Sequence, residues 1–295
     1  MTTYVGRFAP SPTGPLHQGS LIAALASFLD ARANNGRWLL RIEDLDPPRE
    51  MAGAVQSIMQ SLRDHGLHWD DEVMWQSRRH SAYRAALRQL LECGAAFYCT
   101  CSRTDLAPFG GIYPGTCRGC SQVPAGEFAV RLQVADTAVG FVDAVQGECS
   151  QSLPREVGDF VLLRKDGLFA YQLAVVVDDA AQGITHVVRG ADLLDSTPRQ
   201  IWLQRQLGLP TPAYAHIPVL TNAEGQKLSK QTFAPQIDPG SARDNLLAAL
   251  SFLNQPLPRA AGSPEDVLAQ AVANWDLQRV PHRLQISQAD PGADR

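Results

Sequence analysis

The sequence predicts an α/β fold with a parallel β-sheet, and three features near its start support that prediction. Residues 4–8 form an apolar run that favours a strand, and residues 9–16 hold so many prolines and glycines that neither strand nor helix can continue. Residues 21–29 are good helix formers, and no helix breaker follows before residues 34–36. Residues 38–42 are a second apolar run. Strand, helix and strand in succession are typical of a parallel βαβ unit.

The loop between the first strand and the first helix has the composition of an anion-binding site. It leads into a helix N-terminus, where the first backbone amides have no partner in the helix and the helix dipole favours negative charge. His17 adds an imidazole, and Gly19, which has no side chain, lets a flat group approach the backbone. These residues predict a nucleotide site. The alternative is a proline-rich turn that enters a core helix, with His17 bonded to a carbonyl group.

The composition is that of a globular protein. The chain has 295 residues, of which 45% are hydrophobic and 19% charged, so it is long enough for one large domain or two ordinary ones. No apolar run approaches membrane-spanning length and no secretory signal is visible, so we expect a cytoplasmic protein with no membrane partner. The formal charge of −4 argues against a general nucleic-acid binder, and any such partner would have to meet a local basic patch.

Charged residues stand at the ends of the predicted strands. Arg7 lies near the end of the first strand, and Glu43 follows the second. Because ligands of parallel sheets bind beyond the carboxyl ends of the strands, we expect both side chains to line one crevice. Asp44 and Asp46, which follow Glu43, are interpreted as a solvated acidic turn. Arg189 closes a later predicted strand in the same way as Arg7.

The remaining segments continue the alternation of helices and strands. Helical periodicity covers residues 49–65 and 78–93, and an Asp-Gly turn predicts a hairpin over residues 159–171. The pattern further predicts strands over residues 174–179, 184–192 and 215–220, and helices over residues 197–207, 245–253 and 265–275.

Four of the six cysteines lie close together in the sequence. Cys99 and Cys101 form one close pair and Cys117 and Cys120 another, on either side of a loop rich in glycine and proline. This layout is typical of a structural zinc site, and zinc would supply folding free energy to a loop with little apolar surface. Spacing alone therefore selects these four thiols as ligands. The alternative is a set of free buried thiols.

Two motifs resemble the paired signature of class I aminoacyl-tRNA synthetases. They are His17-Gln18-Gly19-Ser20 and Lys227-Leu228-Ser229-Lys230-Gln231, and the second contains two of the three lysines in the chain. The motifs over residues 7–14, 41–44 and 188–192 resemble the glutamyl-specific branch of that class. The resemblance runs from about residue 4 to about residue 255, with the motifs in the order and spacing of that branch.

Several departures from the full-length glutamyl enzymes narrow the resemblance. Ser20 stands where those enzymes have a second histidine, Gln231 stands where they have a basic residue, and little sequence follows the lysine motif. Together with Cys99-Thr100-Cys101 and Gly110-Gly111-Ile112-Tyr113, these features resemble a short paralogue family. Members of that family activate glutamate with ATP in the absence of tRNA. They then attach it to the queuosine base at the wobble position of tRNA(Asp).

The resemblance implies a Rossmann-like, parallel-sheet catalytic domain in two halves, residues 1–95 and 158–240. It further implies an inserted zinc-binding subdomain at residues 96–157, a small helical C-terminal segment at residues 241–295 and no anticodon-binding domain. We expect a monomer that binds L-glutamate, ATP with Mg²⁺, and tRNA(Asp) carrying queuosine. We also expect one structural zinc ion per chain.

The resemblance and the chemistry together imply roles for individual residues. Attack of a glutamate carboxylate on the α-phosphorus of ATP builds negative charge on phosphate oxygens, so His17 and Lys230 are the candidate catalytic residues. The two carboxylates of glutamate require two cations, Arg7 and Arg189, and its ammonium group requires an anion, Glu43. The predicted glutamate site comprises Arg7, Ala9, Pro10, Ser11, Glu43, Tyr171 and Arg189, and the predicted ATP site comprises His17, Gly19, Ser20, Lys227, Ser229 and Lys230.

Some assignments stay open at this point. Tyr171 fits the core of a strand as well as it fits a binding site, and Cys120 is the alternative to Tyr113 as a zinc ligand. The function has two alternatives: a truncated glutamyl-tRNA synthetase that charges tRNA(Glu), and a catalytically silent paralogue that binds glutamate or tRNA. The zinc ligands implied by the resemblance are Cys99, Cys101, Tyr113 and Cys117.

Overall fold

The structure, a computed structural model, describes residues 3–222, 225–226, 236–259 and 262–287. Its helices are α1 (Gln18–Ala33), α2 (Ala54–Asp64), α3 (His80–Glu92), α4 (Arg103–Leu106), α5 (Leu153–Glu156), α6 (Tyr171–Ala181), α7 (Thr197–Leu207), α8 (Ala242–Phe252) and α9 (Pro264–Asn274). Its strands are β1 (Val5–Phe8), β2 (Arg37–Ile42), β3 (Asp70–Trp75), β4 (Ala96–Cys99), β5 (Ala129–Leu132), β6 (Ala138–Asp143), β7 (Gly147–Ser152), β8 (Phe160–Leu163), β9 (His186–Gly190), β10 (Ala213–Ile217), β11 (Val219–Thr221) and β12 (Gln285–Ser287).

Parallel strands cross the molecule with β1 in the middle. β2 pairs with β1 from Val5 opposite Arg37 onward, and β3 pairs with the far side of β2. On the other side of β1 lies β9, where the Thr185 amide donates to the Val5 carbonyl at 3.0 Å. β10 in turn pairs with β9 in parallel. The order β3-β2-β1-β9-β10 is that of a doubly wound, Rossmann-like sheet whose strand order reverses between β1 and β9.

Three smaller groups of strands surround this arrangement. β6 and β7 form an antiparallel pair that joins the edge of β10, where Tyr214 lies opposite Asp143. β4, β5 and β8 form a separate antiparallel sheet, and β11 pairs in parallel with β12 near the end of the described chain. The predicted insertion at residues 96–157 therefore shares strands with the β9–β10 sheet. The domain limits stay predictions.

The first helix is buried on nearly all sides, as its uniformly apolar sequence predicts. Leu21 and Leu25 are completely buried, in one core cluster with side chains of α8 and α9. Polar bonds add to this packing, because Tyr4 and Trp275 both donate to the Asp30 carboxylate. The helix has 16 residues, and no described helix meets the length and hydropathy that a membrane span requires. The loop that precedes α1 is therefore attached to a helix that packing and hydrogen bonds hold in place.

Most of the predicted elements are confirmed. α1, β1 and β2 lie where the apolar runs predicted them, and α7 begins and ends at the predicted residues. The helices α2, α3, α8 and α9 are present with shifted ends. The Asp-Gly turn is also present, since the Arg164 amide donates to the Leu168 carbonyl at 2.9 Å. The short strand β12 was not predicted.

The strand predicted over residues 174–179 is wrong. These residues belong to α6, which begins at Tyr171 rather than continuing the hairpin to that residue. A short run of alanine and valine fits a buried strand and a buried helix equally well by periodicity. Residues 173–176 are all buried, so no alternation of buried and exposed positions distinguishes the two.

Candidate active site

A cavity of about 780 Å³ lies beyond the carboxyl ends of β1 and β9, beside the N-terminus of α1. Ligands of doubly wound sheets bind at this point, where the strand order reverses. Every predicted glutamate- or ATP-site residue that the structure describes lies on its wall: Arg7, Ala9, Pro10, Ser11, His17, Gly19, Ser20, Glu43, Tyr171 and Arg189. Lys227, Ser229 and Lys230 lie outside the described residues.

His17 and Ser20 form the first turn of α1 at the cavity wall. His17 is the N-cap residue, and its Nδ1 accepts a hydrogen bond from the Ser20 amide at 3.3 Å. A neutral imidazole that accepts at Nδ1 carries its proton on Nε2, which lies 3.0 Å from the Ser20 hydroxyl oxygen. The Ser20 hydroxyl proton is then left to donate to a ligand. No acidic residue lies in this turn, so nothing there opposes an anion.

The chain that follows the lysine motif lies against this same turn. It is described again from Gln236, which forms an isolated antiparallel bridge with His17. The next amide, that of Ile237, donates to the Leu16 carbonyl at 3.1 Å. The end of the segment that carries the lysines is therefore anchored beside His17.

The ends of β1 and β2 carry a buried cluster of alternating charges. Arg41 is completely buried and donates to Asp179 at 2.7 Å and to Glu43 at 3.3 Å. Arg7 donates through Nε to the same oxygen of Asp179 at 3.3 Å. Arg7 and Glu43, which face the cavity, are thus both held by groups that lie behind them.

The two carboxylates of this cluster differ in their protonation energetics. Burial raises the pKa of the Glu43 carboxyl above its ordinary value, although Arg41 and Arg7 oppose that shift. Burial acts on Asp179 in the same direction, but the guanidinium groups of Arg41 and Arg7 outweigh it and hold the pKa of Asp179 below its ordinary value. Glu43 is therefore incompletely compensated, and a cationic ligand group beside it would favour its charged form.

The end of β9 holds Arg189 by a different set of partners. Its Nε donates to Nε2 of His216 at 3.0 Å, and its Nη2 donates to the Thr197 hydroxyl at 2.8 Å. Its Nη1 lies 3.4 Å from the hydroxyl of Tyr171, which also lines the cavity. Tyr171 thus lines the cavity from the first turn of α6 and does not lie in the core of a strand.

His216 is bonded on its other side to a carboxylate. Its Nδ1 lies 2.6 Å from Oδ2 of Asp143, and both side chains are buried. Burial lowers the pKa of His216 despite the Asp143 carboxylate, so the imidazole is neutral near pH 7. Burial would raise the pKa of Asp143, but the hydrogen bonds from His216 and from the Gln146 amide hold it below its ordinary value.

Several residues at the cavity or behind it were given no role from the sequence, although Arg41 and Asp192 lie within the motifs over residues 41–44 and 188–192. Arg49, which is paired with Asp46 at 2.6 Å, and Asp192 also line the cavity. Behind the cavity wall lie four more polar residues that hold the arginines and Glu43: Arg41, Asp143, Asp179 and His216. The one signal available was a charged or imidazole side chain within an apolar strand, as at Arg41 and His216.

A second cluster, away from the cavity, consists of thiols and a phenol. The sulfur atoms of Cys99, Cys101 and Cys117 lie within 4.8 Å of one another. The Tyr113 hydroxyl lies 3.5 Å from the sulfur of Cys99 and 3.9 Å from that of Cys101. Cys120 is not part of the cluster, because its sulfur lies against the Gln122 carbonyl at 3.7 Å. Three thiols and a phenol around one point fit the four-coordinate geometry of structural zinc.

Neighbouring residues hold Tyr113 and Cys99 in this arrangement. Gly158 forms a bridge with Tyr113, and a Cβ atom at that glycine would lie 2.5 Å from the Tyr113 nitrogen. Arg131 donates to the Cys99 sulfur at 3.4 Å, and its guanidinium lies 4.1 Å from the centre of the Tyr113 ring. This cation offsets part of the negative charge that deprotonated ligands would carry.

The sequence matches the family model of the class I (E and Q) tRNA synthetase catalytic domain over residues 4–108 and 121–249. Among its curated relatives, the glutamyl-Q tRNA(Asp) synthetase of Ectopseudomonas mendocina is 53% identical over 290 residues, which cover 98% of each chain. The glutamyl-Q tRNA(Asp) synthetase of Pseudomonas aeruginosa is 54% identical over 282 residues, which cover 95% of this chain and 96% of that one.

Solved structures agree with these sequence matches. A glutamate-tRNA synthetase from Elizabethkingia anophelis superposes with a TM-score of 0.79 and 25% identity, covering 97% of this chain and 68% of that chain. A glutamate tRNA ligase from Elizabethkingia meningosepticum, in complex with its amino acid, superposes with a TM-score of 0.78 and 25% identity. That match covers 97% of this chain and 67% of the ligase.

Proposed function

The chain belongs to the class I (E and Q) tRNA synthetases and, within them, to the glutamyl-Q tRNA(Asp) synthetase family, and from this we propose its reaction. It is a ligase that activates L-glutamate with ATP, without tRNA, and transfers the glutamyl group to the queuosine base at the wobble position of tRNA(Asp). One observation carries this proposal. Two buried arginines and the N-terminus of α1 line the same cavity, as recognition of a dicarboxylate beside a triphosphate requires.

We propose that Arg7 and Arg189 bind the two carboxylates of glutamate and that Glu43 binds its ammonium group. Both arginines are 4% exposed, so their bonds to a ligand form out of bulk water and are correspondingly strong. Burial raises the pKa of Glu43 and so disfavours its charged form, which the ammonium group of a bound glutamate would stabilise. The remaining residues assigned to glutamate, Ala9, Pro10, Ser11 and Tyr171, complete the wall.

Activation proceeds by attack of a glutamate carboxylate oxygen on the α-phosphorus of ATP. The bond from that phosphorus to the bridging oxygen breaks, and pyrophosphate leaves with the electron pair. Negative charge grows on the phosphate oxygens, where unpaired first-turn amides of α1 and the Ser20 hydroxyl donate hydrogen bonds. His17 donates there as well when its Nε2 proton turns from the Ser20 oxygen to the phosphate. In the second step, a nucleophile of the modified base attacks the activated carbonyl carbon, and AMP leaves.

Lys227, Ser229 and Lys230 complete the proposed ATP site, with Lys230 as the second catalytic residue beside His17. The anchoring of Gln236 beside His17 supports this assignment. Lys230 lies six residues before Gln236 in the sequence. Chain length alone therefore limits the separation of their Cα atoms to about 21 Å. ATP is expected to enter with Mg²⁺ on its phosphates.

We propose that the thiol cluster holds one structural zinc ion through Cys99, Cys101, Tyr113 and Cys117. The ion would link the start of the loop between β4 and β5, at Cys99 and Cys101, to its middle, at Tyr113 and Cys117. The apolar cluster there is small, with Phe97, Cys99 and Tyr113 as its buried members, so metal binding would add folding free energy. Metal analysis of purified variants tests the ligand set. Cys117→Ser and Tyr113→Phe should lose most of the zinc, whereas Cys120→Ser should keep about one ion per chain. A Cys120→Ser protein without zinc would replace Tyr113 by Cys120 in this assignment.

A glutamylation assay with separate tRNAs tests the proposed function. The protein, ATP and labelled glutamate are incubated with tRNA(Asp) that contains queuosine, with tRNA(Asp) that lacks it, and with tRNA(Glu). We expect label only on the queuosine-containing tRNA(Asp). Label on tRNA(Glu) alone would identify a truncated glutamyl-tRNA synthetase, and no label with any tRNA would favour a silent binding paralogue. The predicted monomeric state and cytoplasmic location stay predictions.

A further inference from the structure

We propose that Asp143 and His216 are positioning residues, which fix the orientation of Arg189 while leaving its positive charge available to a substrate carboxylate. The inference rests on the proposed function, because the predicted consequence of this orientation is a preference of the site for glutamate over glutamine. Neither residue lines the cavity, and both act through Arg189.

The guanidinium of Arg189 is fixed by bonds on three of its edges. Nε donates to His216, and Nη2 donates to the Thr197 hydroxyl at 2.8 Å and to the Leu193 carbonyl at 3.3 Å. Nη1 reaches the Tyr171 hydroxyl at 3.4 Å. A guanidinium has five N–H donors, so among the described contacts one donor on Nη1 is left for a ligand. The direction of that donor depends on the bonds at the other edges.

The bond between Arg189 and His216 determines where His216 carries its proton. Arginine can only donate, so Nε2 of His216 must accept and can hold no proton. The proton of the neutral ring is then on Nδ1, where it is donated to Oδ2 of Asp143 at 2.6 Å. Asp143, as a carboxylate, can only accept. The bonds from Arg189 to His216 and from His216 to Asp143 are thus compatible with one tautomer of His216 only, the one protonated on Nδ1.

The two oxygens of Asp143 have separate tasks. Oδ1 accepts from the backbone amides of Val145, Gln146 and His216 at 3.0, 2.9 and 3.0 Å. Oδ2 accepts from the His216 ring. An asparagine at this position can keep its carbonyl oxygen on the three amides, but it presents an N–H group to the ring. The change Asp143→Asn therefore alters the tautomer of His216 and leaves the backbone bonds in place.

The imidazole also keeps the carboxylate at a distance from Arg189. A carboxylate in direct contact with a guanidinium cancels most of its field toward a ligand, and the Coulomb energy of the pair falls as the separation grows. Between Arg189 and Asp143 stand one neutral ring and two hydrogen bonds, of 3.0 and 2.6 Å. A charged substrate carboxylate is thus bound more strongly than a neutral amide of the same shape.

The test combines kinetics with NMR on two matched pairs of proteins. Glutamate-dependent exchange of pyrophosphate into ATP, without tRNA, gives KM values for glutamate and for ATP. We expect Asp143→Asn to raise the KM for glutamate about tenfold to thirtyfold, with kcat and the KM for ATP within about twofold of the wild type. Glutamine should compete better against glutamate in this variant. A change below threefold in the KM for glutamate would overturn the proposal, as would a variant in which kcat and the KM for ATP are impaired as much as the KM for glutamate.

Substitutions of His216 provide the second pair. Gln can place its amide oxygen near the position of Nε2 and accept the bond from Arg189. The variant His216→Gln should therefore retain most of the wild-type affinity for glutamate. Asn is shorter and reaches only Asp143, so His216→Asn should behave like Asp143→Asn. If both variants lose glutamate affinity equally, the role of His216 is packing and the proposal fails.

Long-range proton–nitrogen NMR of the histidine rings tests the same arrangement without reference to activity. The signal of His216, assigned by its absence in His216→Gln, should show a proton on Nδ1 in the wild type and on Nε2 in Asp143→Asn. A wild-type proton on Nε2, or an unchanged tautomer in the variant, would refute the positioning role. If the wild-type protein shows no pyrophosphate exchange, the proposed function fails, whereas the NMR result still decides the positioning role.

Discussion

The two cavity arginines, at the ends of β1 and β9, are equally buried but are held by opposite kinds of partner. Arg7 donates to a carboxylate, Asp179, which it shares with Arg41. Arg189 donates to the neutral ring of His216, and the Asp143 carboxylate is bonded to the opposite side of that ring. Arg7 is therefore in direct contact with a carboxylate, whereas Arg189 has no carboxylate among its described hydrogen-bond partners and interacts with Asp179 only at longer range.

This difference shows how a site can bind an amino acid with two carboxylates without leaving two buried guanidinium groups unpartnered in the free protein. The β1 end is an ion-paired framework whose main contribution is to stability and shape. The β9 end is a polar series of hydrogen bonds whose main contribution is to affinity. Removal of the shared counter-ion Asp179 behind the β1 end should mostly change unfolding, whereas removal of Arg189 at the β9 end should mostly change glutamate binding.

The largest effect is expected for Arg189→Ala. Loss of a buried, hydrogen-bonded cation opposite a carboxylate should raise the KM for glutamate about a thousandfold in tRNA-independent pyrophosphate exchange. The KM for ATP should change little, and the thermal unfolding midpoint should fall by only a few degrees. An unaltered KM for glutamate would remove Arg189 from the site.

The next largest effect is expected for Asp179→Asn, and it concerns stability. Arg7 and Arg41 would lose their shared counter-ion, which should lower the free energy of unfolding by about 3 kcal/mol. The pKa of Asp179 is lower in the folded chain than in the unfolded one, because Arg41 and Arg7 outweigh burial. Its contribution is therefore complete above the unfolded pKa and is lost as the pH falls through the folded pKa.

Urea unfolding over a series of acidic pH values checks this prediction. The wild type should lose stability more steeply than Asp179→Asn as the pH falls, and the two curves should converge at the acid end. Curves that stay parallel over the whole range would show that Asp179 titrates alike in both states, against the ion-pair account.

A smaller effect on substrate binding is expected for Arg7→Ala. Asp179 already compensates part of the charge of Arg7 and stays paired with Arg41 when Arg7 is removed. The KM for glutamate should therefore rise only about thirtyfold, well below the effect of Arg189→Ala, in the same exchange assay. An effect of Arg7→Ala that exceeds that of Arg189→Ala would reverse the comparison between the two ends.

The smallest effect is expected for Glu43→Gln, with opposite signs for binding and stability. Burial raises the pKa of Glu43 in the folded chain, so its ionised form costs stability once the pH rises through that value. The variant should be as stable as the wild type at neutral pH, or slightly more so, while the KM for glutamate rises about tenfold. Calorimetry and the exchange assay check the two halves. A destabilised variant would mean that the bond from Arg41 outweighs the burial cost.

Much of the cavity wall could be predicted from local sequence. The turn that carries His17 and the strand-end positions of Arg7 and Glu43 depend on short-range rules for strands, loops and helix starts, and the structure places all three on one cavity. Spacing alone selected Cys120 as the fourth zinc ligand, whereas the structure brings Tyr113 to the other three thiols, where its backbone forms a bridge with Gly158.

The groups behind the wall could not be predicted because their contacts span long stretches of sequence. Asp179 was assigned to the end of a strand, whereas α6 places it behind Arg7 and carries Tyr171 at its first turn. Strands β6 and β10, which pair at Tyr214 and Asp143, bring together the side chains of His216 and Asp143, 73 positions apart in the sequence. No local sequence pattern predicts such a contact, so the structure was needed to identify His216 as the neutral partner of Arg189.

The most direct test of the whole account is exchange of labelled pyrophosphate into ATP by the wild-type protein in the absence of any tRNA, with glutamate, glutamine or aspartate as the amino acid. The account predicts exchange with glutamate, and at most about one hundredth of that rate at equal concentration with glutamine. No exchange with glutamate, or equal exchange with glutamine, would contradict it.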